Sequence, residues 1–152
     1  MELSPNVIEA YIRHAFAGME RLLDRLDDDQ VNARPQPWAT NSIAGLIVHC
    51  CELAPSWFTA PGLGRESVRD RDAEFEATAT VAELRGRITS ATEATSALVH
   101  EFAEGPTAQG HPLREFLPGT DRSDGSLVLH VLEELFQHLG HMEVTADALT
   151  RG

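Results

Sequence analysis

The sequence predicts an all-α fold, a four-helix bundle, and three observations carry that expectation. Four segments repeat apolar residues at the three- and four-residue spacing of a helix with one buried face. Clusters of Pro, Gly and Asp separate those segments. No stretch alternates apolar and polar residues for long enough to argue for a strand. The 152 residues suit one domain, spanning 1–152, with enough chain to bury a core.

The first helix opens at "SPNVIEAYI", where Ser4 can cap and Pro5 suits the first helical position. Val7, Ile8, Tyr11, Ile12, Ala15, Met19, Leu22, Leu23 and Leu26 follow at helical spacing, and the acidic run Asp27–Gln30 is expected to end it. After a loop with Pro35 and Pro37, "TNSIAGLIVHCCELA" reads as the second helix, capped by Thr40 or Asn41. Pro55 predicts a kink or an end near Ala54, and "SWFTAPGLG" closes the segment. The charged segment from Arg65 to Glu76 reads as a loop. The third helix lies in "TATVAELRGRITSATEATSALVHEF", with Val81, Leu84, Ile88, Ala91, Thr95, Leu98 and Phe102 on one stripe. The connection "AEGPTAQGHPLREFLPGTDRSDG" exceeds 20 residues, a length that in a compact domain serves function or wraps the body. The fourth helix starts near "SDGSLVLHVLEEL", with Ser123, Asp124 or Ser126 as cap, and runs to about Thr150.

Composition narrows the partners. Twelve basic against 24 acidic residues give a net charge of −12, so a phosphate backbone would be repelled and no nucleic-acid partner is expected. No uninterrupted apolar run reaches the roughly 18 residues of a membrane span, so no membrane partner is expected. The start, "MELSPNVIEAYIRHAF", lacks the basic-then-apolar order of a secretory signal, and the cytoplasm is the expected compartment. Cys50 and Cys51 are adjacent, about 100° apart on a helix, and read as two buried thiols rather than a disulfide.

The fourth helix carries the chemistry. Leu127, His130, Glu134, His138 and His141 fall on one narrow stripe, beside the apolar stripe of Val128, Val131, Leu135, Leu139, Met142 and Leu149. Each buried polar group left unsatisfied costs roughly 1–3 kcal/mol. Such a stripe must therefore meet water in a cleft, pair with charges on another helix, or hold a metal. Glu134 and His138 are one turn apart, and His49 sits among apolar residues on the second helix. Two histidines and one carboxylate, with a position left for water, form a common catalytic zinc site. The plainer alternative is that His49 is a satisfied core histidine and that the stripe pairs with Arg13 or Arg87. His130 and His141 extend the stripe, Glu133 points about 100° away from it, and His14 and His100 read as surface or packing residues. His111 lies in the long connection, where it could hang over the site.

Two stretches resemble the DinB-like superfamily of four-helix-bundle metalloproteins, which includes the mycothiol-dependent maleylpyruvate isomerase group and related bacterial thiol S-transferases. "WATNSIAGLIVHCCE" is similar to the family's second helix, with Trp38 before the cap and a ligand histidine after S-I-x-x-L. "LHVLEELFQHLGHMEVTADAL" is similar to its fourth helix, marked by a ligand pair four residues apart and then x-G-[HQ]. Many members carry histidine at both ligand positions. This chain has Glu134 at the first, as the mycothiol-linked branch does.

The resemblance implies that His49, Glu134 and His138 hold a divalent metal. Zinc comes first, and nickel, iron and manganese also suit nitrogen and oxygen ligands. It further implies a low-molecular-weight thiol such as mycothiol as cosubstrate, a small-molecule electrophile, and a homodimer. His141 is the expected catalytic residue, as proton carrier or substrate contact, and Arg114 and Arg122 are candidate thiol contacts. The leading expectation is a metal-dependent thiol S-transferase acting in detoxification. The alternatives are a hydrolase using metal-bound hydroxide and a non-catalytic, stress-associated metal-binding bundle.

Overall fold

Ser4 caps the first helix through its side chain, which accepts a hydrogen bond from the Val7 amide, and Pro5 occupies the first turn. The computed structural model describes residues 3–35, 40–105 and 124–150. Among these, all regular structure is helical. Four long helices form the body: α1 (Pro5–Leu22), α3 (Ile43–Trp57), α5 (Val81–Glu104) and α6 (Asp124–Thr150). Two five-residue helices, α2 (Asp28–Asn32) and α4 (Arg71–Phe75), decorate it.

The pairings order the bundle. α1 and α3 each pack against both α5 and α6, so α1 and α3 lie diagonally. Glu9 meets His100, and Glu20 meets Arg85, so α1 and α5 run antiparallel. Tyr11 meets Phe136, and Arg25 meets Asp147, so α1 and α6 run parallel. Trp57 meets His130, and His49 approaches Glu134, so α3 runs against α6. Two helices therefore point each way. α1 touches α6 closely: a Cβ added at Gly18 would lie 2.6 Å from Leu139 Cδ2.

α3 is the central element. Ile43 through Cys51, with Leu53 and Ala54, is buried, which is the signature of a helix covered on all sides. Its cap is Ser42, whose hydroxyl accepts from the Gly45 amide at 3.0 Å, not Thr40 or Asn41. Nor does Pro55 stop it: the helix continues to Trp57 and then widens into a π-type turn, Phe58–Gly62, in which the Leu63 amide reaches back to the Phe58 carbonyl at 2.8 Å. The resulting stretch Ile43–Gly62 is long and apolar enough to cross a membrane by length and composition, unlike the uninterrupted runs sought in the sequence. Its most apolar window is 67% buried within the bundle, as a core helix should be.

Two other expectations are corrected. The acidic run after α1 starts a helix rather than ending one. α1 passes into a tight turn, Leu23–Arg25, and Asp27 then caps α2 in a reciprocal box with Gln30. The charged segment expected to be a loop contains α4, capped by Asp70, whose side chain accepts from the Ala73 amide at 3.0 Å. The third and fourth helices match their expected spans closely, and α5 opens on a Thr80–Glu83 capping box. α6 starts at Asp124, which puts Asp124 and Ser126 inside its first turn. Trp38, Pro37, His111, Arg114, Arg122 and Ser123 lie outside the described residues. Both cysteines are free and buried, as read from the sequence. Burial pushes both thiols up, Cys51 to about 12.

Candidate metal centre

α3 and α6 run antiparallel side by side, and this brings His49 opposite the Glu134–His138 turn. His49 projects from the fully buried α3 and is 1% exposed. Glu134 and His138 stand one turn apart at the edge of the buried face of α6, both half-buried. One ligand atom from each of the three residues lies within 4.8 Å of the other two. Glu134 Oε2 is 3.3 Å from His138 Nε2 and 3.9 Å from His49 Nε2. The His138 imidazole beside it, first among the causes, holds the Glu134 carboxyl well below the usual carboxylate range.

The donor set fits a metal. His49 Nε2 is buried, and no group among the described residues hydrogen-bonds to it. A buried ring nitrogen without a partner costs about 1–3 kcal/mol, yet this one faces a carboxylate and a second imidazole across a gap too wide for a direct bond. One carboxylate and two neutral imidazoles match the nitrogen and oxygen preferences of zinc and its neighbours.

The other side of His49 is supported by residues that sequence reasoning missed. Glu74, on α4, is 5% exposed, and its Oε2 lies 2.8 Å from His49 Nδ1. Arg69 grips the same carboxylate with two bonds, Nη2 to Oε2 at 2.6 Å and Nε to Oε1 at 2.9 Å. Phe75 stacks on the His49 ring at 4.3 Å, and Arg71 lies over the Phe75 ring at 5.0 Å. α4 comes this close because residue 45 is glycine: a Cβ there would sit 2.6 Å from the Phe75 carbonyl oxygen. The signals in the sequence were the Asp70 cap and Gly45, neither of which points to Glu74 by itself.

The remaining candidates separate from the cluster. His141 is half-buried one turn beyond His138, and no hydrogen bond, ion pair or ring contact connects it to the three. His130 is buried edge-to-face against Trp57, with ring centres 4.6 Å apart. His14 is exposed beside Phe136, and His100 pairs with Glu9 at 2.7 Å. Glu133 is exposed, as its position on the helix requires. Arg13 pairs with Glu9 and Arg87 with Glu52, so neither neutralises the stripe. A groove of about 600 Å³ between α3 and α5, lined by Cys51, Glu52, Glu83 and Arg87 among others, lies apart from the three residues.

A family model described as mycothiol-S-transferase matches residues 7–150. No curated protein and no solved structure matched the chain.

Proposed function

The chain belongs to the mycothiol-S-transferase family, and from that membership we propose a metal-dependent enzyme that transfers a low-molecular-weight thiol, mycothiol first, to a small electrophile. The single observation that carries the metal part is the convergence of His49, Glu134 and His138 from two helices around a buried, unpartnered ring nitrogen. These three residues hold the ion, zinc being the first candidate. When bound, such an ion supplies a Lewis acid that keeps a thiol in its nucleophilic thiolate form at neutral pH. Glu134 brings one negative charge to a site whose other ligands are neutral. His141, one turn along α6 from His138, is the proton carrier or substrate contact. Phe75 walls one side of His49 and keeps water from its ring face.

A small-molecule electrophile, a cytoplasmic setting and a homodimer complete the reading. Leu3, Val7 and Tyr11 on and beside α1, with Leu129 on α6, are exposed and apolar, and they offer a face for the pairing of two copies.

The test is a transfer assay on the metal-loaded protein, with mycothiol and a panel of electrophiles. Conjugation that is lost on chelation and in His138→Ala supports the reading. Turnover of esters or amides without added thiol would favour the hydrolase instead. Metal binding with neither activity would leave a non-catalytic bundle.

A further inference from the structure

We propose that Glu74, locked by Arg69, is a positioning residue that fixes the His49 tautomer and so presents the Nε2 lone pair to Glu134 and His138. The inference rests on the metal reading above and assigns a purpose to α4. A carboxylate can only accept hydrogen bonds, and the Arg69 guanidinium donates two to Glu74 in its buried position. At 2.8 Å from that carboxylate, His49 Nδ1 must carry the hydrogen. In a neutral ring, Nε2 is then bare. The opposite tautomer fails at Nδ1, where it would set a ring lone pair against the Glu74 oxygen at 2.8 Å. Arg69 Nη2 also lies 3.4 Å from Nδ1, but two donors make no bond, so this approach follows from the grip on Glu74.

The backing is rigid as well as directional. α4 supplies both Glu74 and Phe75, so one short helix sets the edge and the face of a single imidazole. It is held by the Asp70 cap and seated against Gly45. Carboxylates that hold the far nitrogen of a ligand histidine generally raise metal affinity by fixing the tautomer and ring orientation.

Two measurements on one set of proteins test this. The first is the ring-nitrogen spectrum of ¹⁵N-histidine-labelled, metal-free protein near neutral pH, with His49 assigned by its loss in His49→Gln. The second is zinc affinity by competition with a chromogenic chelator, for wild type, Glu74→Gln and Glu74→Ala. The expected results are an Nδ1-protonated His49 in wild type and a tautomer mixture in Glu74→Ala. Affinity should fall by about 10-fold in Glu74→Gln and toward 100-fold in Glu74→Ala. A bare Nδ1 in wild type overturns the proposal, and that measurement needs no substitution to fold. Unchanged affinity in well-folded variants overturns the positioning role and leaves the metal reading intact. A wild type that takes up no zinc overturns the metal reading itself, and with it the purpose assigned to Glu74.

Discussion

Replacing Gly45 by alanine perturbs the site without removing any polar group. The added Cβ would lie 2.6 Å from the Phe75 carbonyl oxygen, 3.1 Å from its carbonyl carbon and 3.2 Å from its Cα. All three are backbone atoms, so no side chain can swing aside and α4 itself must move. Overpacking of this kind costs about 1–3 kcal/mol. Alanine returns about 0.5–1 kcal/mol through its better helix propensity, so the net loss is on the order of 1–2 kcal/mol. Gly86 supplies the control. It is exposed in α5, and a Cβ there meets nothing within 4 Å. Gly86→Ala should therefore stabilise by about 0.5–1 kcal/mol. The two variants should differ by about 2 kcal/mol, or roughly 4–8 °C in Tm for a chain of this size. Thermal and urea unfolding followed by helical circular dichroism reads this directly. Zinc affinity should also drop in Gly45→Ala, because Glu74 and Phe75 retreat with α4. Equal stability of the two variants, with unchanged affinity, would refute the claim that α4 is seated by a missing side chain.

Other expectations follow from the same structure. Glu9 is held down to about 2 by His100 first and Arg13 second, below the 4.5 of a free glutamate. A depressed acid stabilises the fold above its unfolded pKa and loses that contribution as pH falls toward its folded pKa. The pair is partly exposed, so the effect is under about 1 kcal/mol. Wild type should exceed Glu9→Gln in stability at pH 6, with the gap closing between pH 4.5 and 2; a gap independent of pH would contradict the pairing. Phe58→Ala, at a fully buried ring packed edge-to-face on Phe102, should cost about 3–5 kcal/mol in urea titrations. Asp27→Ala removes the α2 cap and should cost about 1 kcal/mol. Cys50 and Cys51 should resist thiol reagents in the native state and react once the chain is unfolded, since both are buried with thiols pushed up.

The bundle was legible because its four long helices each show several turns of periodic burial. The cluster was legible because Glu134 and His138 are one turn apart and His49 is conspicuous among apolar neighbours. Glu74 was not legible, and the reason is length. Five residues cannot display a 3.6-residue period, and one glutamate among the charges of "SVRDRDAEFE" carries no mark of burial. Its burial comes from the seating of α4 on α3 at Gly45 and His49, which are distant in sequence. The acidic run after α1 misled for a related reason. Asp27 and Gln30 have the spacing of a capping box, but density of charge reads first as a terminator. Pro55 was tolerated because it falls near the end of α3, where the chain already widens into the turn at Phe58–Gly62.

The most direct test of the central claim is metal stoichiometry. The untagged protein, purified without chelator, should be measured by plasma mass spectrometry beside His49→Ala and Glu134→Ala, with circular dichroism on each. Close to one divalent ion per wild-type chain is expected, lost from both variants while their helical signal persists. No ion in the wild type, even after incubation with zinc or nickel, would contradict the claim.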